Sequence, residues 1–444
     1  MAQGRLGSLP PDVVSSIVQQ TPTANARLAQ TAHGVRTLLN GMWNEPPVHF
    51  YANLDTHAGW TEAQRRESVL HELEGQANRW RLEEIDVAGI KLDDADAQAA
   101  HPPMLAPVRG AVRLAAVLRA SGANLRALDL SHTRIYDWRE IEQALPFCQA
   151  LERVTLSGSI FRTTNNPFLG LAQCASLREL VIEFSDLRTR CAQLAPVLTL
   201  CRRLESLSLA SNNLAVVDMT LVPPAPVVHY VVAGLWQHPA LARLDLRNCN
   251  LTERALQMML NFLPFMPALA HLDLSDNAIG GRKIPVLAAI LQGCAALRHL
   301  HLRDNILSPQ DLADLAAAQA FRGLESLSLQ RCDLDLMVPG GGRAFVQELA
   351  HCQQLAHLDL SENNLGNSFV RGLAALLGQL PSLEHLDLRD TQITDAGMRA
   401  LALNVELSGL TQLNVADCHC SAAAAQELRE KWRGKHGHLH GLVM

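Results

Sequence analysis

A repeated leucine pattern limits the folds open to this chain more than any other feature of its sequence. Residues 355–365 have the form L-x-x-L-x-L-x-x-N-x-L, and eleven alignable copies lie between residues 125 and 420. Successive copies start 26 to 37 residues apart, and most intervals are 26 to 28 residues. A unit of this length cannot bury its leucines alone, so we expect the copies to stack and share one continuous core. The copies begin at Leu125, Leu151, Leu177, Leu204, Leu241, Leu269, Leu297, Leu324, Leu355, Leu383 and Leu410.

Each copy predicts one short strand followed by one helix. The leucines of the L-x-L segment point inward from one side of a strand, because side chains alternate along it. The next ten to twelve residues, such as 369–380, carry Leu and Ala at helical spacing. The residue at the Asn position turns the chain, and its side chain satisfies backbone groups that the turn leaves free. That position holds Thr133, Ser159, Ser185, Asn212, Cys249, Asn277, Asn305, Cys332, Asn363, Thr391 and Cys418.

These patterns are typical of leucine-rich repeats. We therefore predict an α/β leucine-rich-repeat solenoid, a horseshoe with parallel concave strands and convex helices, preceded by a small helical N-terminal region. The intervals of 27 and 28 residues and the mixture of Asn and Cys at the turn resemble the ribonuclease-inhibitor-like class of these repeats.

The sequence also predicts four parts of the chain. Residues 1–42 form a helical segment, and residues 43–107 contain connector helices and a degenerate first repeat that begins at Leu82. Residues 108–420 form the solenoid of about eleven clear repeats, and residues 421–444 form a C-terminal helix and a basic, His-rich tail.

Local patterns add detail to this division. Residues 62–80 predict a charged helix with Leu70 and Leu73 facing inward. The intervals of 37 and 31 residues contain insertions at 216–228 and 336–343. Insertions between repeats form loops and are often on the binding side, so we expect loops at both places.

Bulk composition argues against two classes of partner. Lys and Arg number 38 against 44 Asp and Glu, a formal charge of −6, so no global basic field attracts nucleic acid. No apolar run reaches 18 residues, so we expect no membrane-spanning helix. Residues 1–30 lack the pattern of a signal peptide, because Pro10, Pro11 and Asp12 interrupt the hydrophobic residues early.

The ten cysteines could indicate a secreted disulfide framework, but their positions favour another interpretation. Most of them recur at fixed positions of the repeat, where a small buried residue is required. We therefore expect reduced thiols and a cytoplasmic protein. Three residues before the first leucine lie Cys148, Cys174, Cys201, Cys294 and Cys352, and the Asn position holds Cys249, Cys332 and Cys418.

The strands predict a broad polar surface. The second, fourth and sixth residues after the first leucine face outward, and neighbouring strands lie about 4.8 Å apart, so these side chains form continuous rows. The rows are rich in Asp, His and Arg, which suits a charged segment of a target protein. The candidate target-binding residues are Arg243, Asp245, Arg247, His271, Asp273, His299, His301, Arg303, His357, Asp359, His385, Asp387 and Arg389.

Neighbouring His and Asp could also indicate a metal site or acid–base catalysis. The residues align by repeat and do not converge on one point, which favours a solvated binding surface or a merely solvated face. His436, His438 and His440 form an H-x-H-x-H tail, which a flexible, exposed chain end explains more simply than a metal site. We therefore expect no enzyme activity, no catalytic residues, no metal site and no cofactor.

The N-terminal residues resemble an F-box, the helical motif that binds Skp1-type adaptors of cullin ubiquitin ligases. The chain departs from the family's pattern at Thr21, where Leu is usual, and near Val35, where an aromatic residue is usual. The same helices could instead only cap the first repeat, since solenoids need a polar end. The matching residues are Leu9, Pro10, Asp12, Val13, Val14, Ile17, Pro22 and Leu28.

The resemblance implies a substrate-recognition adaptor of a Skp1–cullin-type ubiquitin ligase. A Skp1-like adaptor protein would bind the helices, and the target protein would bind the concave face. An F-box with leucine-rich repeats resembles eukaryotic F-box proteins and the type III effectors of plant-pathogenic bacteria, which act in the host cytoplasm. The alternative is a non-catalytic interaction scaffold or inhibitor with a helical cap. We expect a monomer outside such complexes.

Overall fold

The computed structural model describes residues 49–51, 62–79, 82–90, 92, 109–133, 135, 137–159, 161, 167–185, 187, 190–221, 223–337, 340 and 342–444. The described residues fall into two compact units. The first lies within Met1–Asp186 and Pro196–Leu204, and the second within Leu187–Ala195 and Glu205–Met444. The predicted adaptor-binding residues lie outside the described part of the chain: Leu9, Pro10, Asp12, Val13, Val14, Ile17, Pro22 and Leu28.

Parallel strands and helices alternate in the first unit. Each strand pairs in register with the next, so that Glu84 lies beside Ala127 and Arg153 beside Glu179. The described strands are β1 (His49–Tyr51), β2 (Glu84–Asp86), β3 (Ala127–Asp129), β4 (Arg153–Thr155) and β5 (Glu179–Val181). The helices are α1 (Glu62–Arg79), α2 (Arg109–Ser121), α3 (Arg139–Ala144) and α4 (Phe168–Leu171), and α5 (Cys191–Leu200) follows them in the chain.

Helix α1 agrees with the sequence prediction, whereas strand β1 was not predicted. The predicted charged helix is α1, and its Leu70 and Leu73 are fully buried, which confirms their inward orientation. Residues 43–107 are predicted to contain connector helices before the degenerate first repeat, yet His49–Tyr51 forms a strand parallel to β2. Three residues are too few for side-chain periodicity to reveal a strand.

The second unit repeats the same alternation. Strand β6 pairs with β9, and β9 to β16 then pair in chain order, all in parallel. The strands are β6 (Ser206–Ser208), β7 (Val217–Asp218), β8 (Ala225–Pro226), β9 (Arg243–Asp245), β10 (His271–Asp273), β11 (His299–His301), β12 (Ser326–Ser328), β13 (His357–Asp359), β14 (His385–Asp387), β15 (Gln412–Asn414) and β16 (Leu442–Val443). The helices are α6 (Val228–Leu235), α7 (Glu253–Leu260), α8 (Ile284–Gly293), α9 (Pro309–Ala316), α10 (Arg343–Leu349), α11 (Gly366–Leu376), α12 (Asp395–Asn404) and α13 (Ala422–His436).

The repeated leucines form the core between strands and helices. In the copy at 355–365, Leu355, Leu358 and Leu360 are at most 1% exposed, and Leu373 of α11 is fully buried against them. Each fully buried leucine stabilises the fold by about 1.5–3 kcal/mol relative to exposure to water. The predicted leucine-rich-repeat solenoid, with parallel strands on one side of the core and helices on the other, is confirmed.

Buried asparagines satisfy backbone groups of their own turns, as the sequence predicted, and they also join consecutive repeats. The Asn277 side chain is almost fully buried. Its Oδ1 accepts hydrogen bonds from the backbone N–H groups of Cys249 at 3.0 Å and Leu251 at 3.1 Å. Its Nδ2 donates to the carbonyls of Leu246 at 2.9 Å and Leu274 at 3.0 Å. One side chain therefore satisfies the turns of two repeats, and the arrangement recurs at Asn305 and Asn363.

The residue before the Asn position adopts a left-handed backbone conformation in every clear copy, with φ between 51° and 65°. Its N–H donates to a carbonyl of the next repeat, as in Asn248 to Ser275 at 2.9 Å. Asn, Asp and Gly tolerate this conformation best and occupy about half of these positions. The column contains His132, Gly158, Phe184, Ser211, Asn248, Asp276, Asp304, Arg331, Glu362, Asp390 and Asp417.

All ten cysteines are free thiols, as their repeat positions predicted. Cys418 and Cys420 are partly buried and the others are buried. The Sγ atoms of Cys249 and Cys332 donate to the carbonyls of Leu209 at 3.2 Å and Leu302 at 3.0 Å, so the thiol replaces part of the asparagine's function. Burial raises the pKa of both thiols to about 12, which keeps them protonated.

Two segments expected to be irregular contain strands. The 216–228 insertion forms the antiparallel hairpin β7–β8, where Asp218 accepts hydrogen bonds from the hydroxyls of Thr220 at 2.6 Å and Tyr230 at 2.8 Å. The His-rich tail is exposed at His438 and His440, as expected, but it ends in regular structure, because β16 pairs with β15 and Trp432 Nε1 donates to the His440 carbonyl at 3.2 Å. Both differences depend on contacts between residues that are distant in the sequence, which composition does not reveal.

Candidate protein-interaction surface

The outward-facing side chains of the second unit form a polar surface that we call the strand face. It consists of the first and third residues of β6 and β9 to β15, together with the residue two positions after each strand. In each of these strands the central leucine is buried, whereas the flanking residues retain solvent exposure with few exceptions. The thirteen candidate residues all lie on this face: Arg243, Asp245, Arg247, His271, Asp273, His299, His301, Arg303, His357, Asp359, His385, Asp387 and Arg389.

Strand register arranges the candidate residues in rows. The first row passes from Arg243 through His271 and His299 to His357 and His385, with Ser326 between the second and third histidines. Each strand pairs in parallel with the strand of the next repeat, so equivalent positions of successive copies become neighbours. The sequence spacing alone therefore determines which residues lie side by side.

Two histidine pairs stack along the first row. The rings of His271 and His299 are parallel, with centroids 3.9 Å apart, and those of His357 and His385 are tilted by 33° with centroids 4.2 Å apart. Desolvation, together with the neighbouring His299 and Arg243, lowers the pKa of His271 to about 4. Desolvation also lowers the pKa of His299 and His357. These three imidazoles are therefore neutral at pH 7.

Three arginines of the strand face, Arg247, Arg303 and Arg389, are paired with carboxylates on or beside it. Arg247 contacts Asp245 at 2.8 Å and Asp273 at 3.5 Å. Further along, Asp304 lies 2.7 Å from Arg303 and 3.0 Å from Arg331.

The ion-pair chain continues through Glu362, which contacts Arg331 at 3.7 Å and also contacts Arg389. Exposed pairs contribute only about 0–1 kcal/mol each, so their main effect is on charge and orientation. Arg247, Arg303 and Arg389 therefore hold their charges beside carboxylates in a connected network.

Hydrogen bonds fix the orientation of the aspartates in the third-residue row. Asp359 accepts from Ser361 Oγ at 2.7 Å and Ser328 Oγ at 3.2 Å. Asp387 accepts from the Arg389 backbone N–H at 2.9 Å and from Asn414 Nδ2 at 3.0 Å. Desolvation raises the pKa of Asp273, although its hydrogen bonds with Ser275 oppose that rise.

Two observations concern the alternative interpretation of the strand face as a catalytic or metal-binding site. The His301 Nδ1 and Asp273 Oδ2 atoms are 3.9 Å apart, which is longer than a hydrogen bond of about 2.7–3.2 Å. Within the part of the chain that the structure describes, no group of three or more His, Cys, Asp and Glu side chains is placed to hold a metal ion.

Comparisons with known proteins complete this description. A family model described as a leucine-rich repeat matches residues 379–402, which contain β14 and most of α12. The match spans most of one repeat and agrees with the stacked strand-and-helix units described above. The described residues have a leucine-rich-repeat fold.

Comparison with solved structures also matches the chain to other proteins. A chain of the mouse RP105/MD-1 complex is 17% identical with a TM-score of 0.49, and the match covers 84% of this chain but 51%, about half, of that chain. An internalin (inlF) from Listeria monocytogenes is 16% identical with a TM-score of 0.44, covering 82% of this chain and 92% of that one. No curated protein matches the chain in sequence.

One finding concerns membranes. Within the described residues of this chain, every helix is too short or too polar to cross a bilayer.

Sequence reasoning missed part of the surface. Asp304, Arg331 and Glu362 carry the ion-pair chain, yet the sequence rows ended one residue earlier in each copy. A signal was present, since Asp, Asn and Gly recur at this position, as they do where the backbone is left-handed. That conformation turns the side chain back towards the row of arginines.

Proposed function

We propose that this protein is a non-catalytic interaction scaffold that binds a segment of a partner protein on the strand face. The observation that carries the proposal is the continuous, in-register presentation of polar side chains over β9 to β15. These seven strands are separated by six spacings of about 4.8 Å, so they offer about 29 Å of surface, enough for an extended segment of about eight residues.

The charge arrangement supports a protein partner with its own charged groups. Arginines and aspartates of the face are already oriented by one another, which reduces the entropy lost when a partner binds. Electrostatic complementarity of such a surface favours specificity and the rate of association more than raw affinity. Alignment of the histidines and aspartates by repeat supports a recognition function more than an enzymatic one.

A charge-exchange variant tests the proposal. We would combine Arg243→Glu and Asp387→Lys, which reverses two exposed or half-buried charges of the strand face without changing the net charge. The matched control combines Asp314→Lys on α9 and Arg399→Glu on α12, both exposed on helices. Circular dichroism would establish that both variants fold.

Quantitative affinity capture from extracts would then compare the three proteins. We expect at least one protein to be retained by the wild type and by the helix variant and to be lost from the strand-face variant. Equal retention of every captured protein by both variants would contradict the proposal.

We also propose a more specific function, in which the scaffold is the substrate receptor of a Skp1–cullin-type ubiquitin ligase. The sequence of the N-terminal segment supports it, because Leu9-Pro10, Asp12 and Ile17 follow the F-box pattern. In this proposal the protein functions in the cytoplasm, where its ten free thiols stay reduced. A type III effector of a plant-pathogenic bacterium would reach that compartment in the host.

Binding to a purified Skp1-type adaptor separates this function from a simple scaffold. We expect the wild type to bind and a Leu9→Ala/Pro10→Ala double variant with the same circular dichroism spectrum to lose binding. A folded wild type that does not bind the adaptor would contradict the receptor function and leave the scaffold proposal standing.

A further inference from the structure

The first row of the strand face is interrupted at one position. His271 and His299 stack on one side, and His357 and His385 stack on the other. Between them, β12 contributes Ser326, whose register partners are His299 and His357. The ladder of planar rings therefore has a one-residue gap, flanked by an imidazole on each side.

The dimensions of the gap suit one planar group. Two strand spacings separate His299 from His357, or about 10 Å. The serine side chain at the base is small, so the space above it is bounded by the two imidazoles. The two histidine pairs have ring spacings of 3.9 Å and 4.2 Å, so this surface already holds planar groups at stacking distance. A flat group above Ser326 would lie about one strand spacing from each ring.

We propose that this space, the Ser326 slot formed by His299, Ser326 and His357, receives the guanidinium group of an arginine from the partner protein. The inference rests on the proposed scaffold function and specifies a chemical feature of its partner. A guanidinium is planar, so its faces can stack on the two imidazoles while its five N–H donors point to the rim.

Carboxylates at both ends of the slot favour a cation over a neutral aromatic ring. Glu325 precedes Ser326, and its side chain is 49% exposed. It lies 3.7 Å from Arg298 Nε and 3.9 Å from His299 Nε2, both beyond the hydrogen-bond range of about 3.2 Å. Its oxygens can therefore accept hydrogen bonds from a ligand.

Asp359 lies at the other end of the slot. Its Oδ2 accepts one hydrogen bond, from Ser328 Oγ at 3.2 Å. An ionised carboxylate has about four acceptor positions, so capacity remains for a ligand donor. Ser361 holds the other oxygen through its N–H and hydroxyl at 3.0 Å and 2.7 Å, which fixes the orientation of the carboxylate.

The charge state of the slot walls is compatible with a cation. Desolvation lowers the pKa of His299, and Arg243 and His301 act in the same direction whereas Glu325 opposes them. Desolvation and the charge of His385 lower the pKa of His357, and Glu384 opposes them. Both rings are neutral at pH 7 and do not repel a guanidinium, which can interact with their π faces.

Small probes and the full-length chain test the proposal. We would titrate the protein at pH 7.5 with three probes: N-acetylarginine amide, N-acetyllysine amide and N-acetylphenylalanine amide. NMR would record the histidine ring signals, and the variants His299→Gln and His357→Gln would assign the signals of those two residues. We expect the arginine probe to shift the His299 and His357 signals. We also expect it to bind at least about tenfold more tightly than either other probe, a difference of one decade in Kd.

Filling the gap provides the decisive variant. Ser326→His extends the imidazole ladder through the slot, and we expect it to weaken the arginine probe by at least about tenfold. Ser206→His is the matched control, since Ser206 is the first residue of β6 in the same row. Glu325→Gln, which alters charge without adding bulk, should also weaken the arginine probe.

Several outcomes would overturn the proposal. Equal binding of the lysine probe would indicate simple charge attraction, and tighter binding of the phenylalanine probe would indicate an aromatic ligand. Unchanged affinity in folded Ser326→His would show that the probe binds elsewhere. Failure of the slot remains separable from failure of the scaffold function. A partner lost from the Arg243→Glu/Asp387→Lys variant but retained by Ser326→His supports the scaffold and refutes the slot.

Discussion

Replacing Asn277 by alanine removes a side chain that connects two neighbouring repeats. The backbone N–H groups of Cys249 and Leu251 then lose their common acceptor, the Asn277 Oδ1 atom, at 3.0 Å and 3.1 Å. Each buried donor left without a partner costs about 1–3 kcal/mol, so two of them cost about 2–6 kcal/mol. The carbonyls that accept from Nδ2 add less, because a carbonyl tolerates the loss of one hydrogen bond better than an N–H does.

This cost is large relative to a typical free energy of unfolding of about 5–15 kcal/mol. Urea unfolding followed by circular dichroism would measure it, and native-state hydrogen exchange would localise it. We expect the amide protons of Cys249 and Leu251 to exchange faster in Asn277→Ala than in the wild type. The exposed Asn261, whose amide makes only a 3.5 Å contact, provides the control variant Asn261→Ala, for which we expect a change within about 0.5 kcal/mol.

Asn277→Cys refines the test, because cysteine occupies the same position at Cys249 and Cys332. Those thiols donate to a leucine carbonyl of the preceding repeat. We therefore expect Asn277→Cys to be less destabilising than Asn277→Ala, although the two backbone donors still lose their carbonyl acceptor. A loss below about 1 kcal/mol for Asn277→Ala, or unchanged exchange at both amides, would refute the reasoning, since even one orphaned donor costs about that much.

Two further predictions concern pH and the core. The pKa of His271 is lowered from 6.5 to about 4, so protons bind the unfolded state preferentially, and stability is lost as pH falls from about 6.5 to about 4. Urea midpoints should therefore fall over that range, and they should fall less steeply in His271→Gln than in a variant of the exposed His438. Equal slopes in the two variants would contradict this prediction. Leu300→Ala, at a fully buried position, should cost about 2–5 kcal/mol in urea unfolding. Ile306→Ala, at a side chain that is 59% exposed, should cost within about 0.5 kcal/mol, and equal losses at the two positions would contradict the assigned core.

Much of the architecture could be predicted because each repeat encodes it locally. Leu355, Leu358 and Leu360 point to one side of a strand by their spacing alone, and the same spacing in every copy requires the strands to stack. Stacked copies place equivalent positions side by side, so the rows of the strand face also follow from sequence, as does the function of Asn277 in its own turn. The cysteines fit the same scheme, since their burial depends on repeat position rather than on disulfide pairing.

The short, non-repeated segments could not be predicted in this way. The β7–β8 hairpin depends on Asp218 meeting Tyr230, twelve residues away, and β16 depends on a neighbouring strand about 30 residues earlier. Neither segment has a periodic pattern long enough to indicate a strand. Their structure comes from contacts that only the folded chain makes.

The sequence by itself determined which residues share the strand face, because register follows from the repeat length. Only the tertiary structure decided how their charges and rings are arranged, since that depends on side-chain conformation and local twist rather than on spacing. It paired Arg303 and Arg331 with Asp304, and it stacked His271 on His299. The same packing surrounds Ser326 with imidazoles and carboxylates, so a serine with no sequence signal of its own becomes the centre of the proposed arginine site.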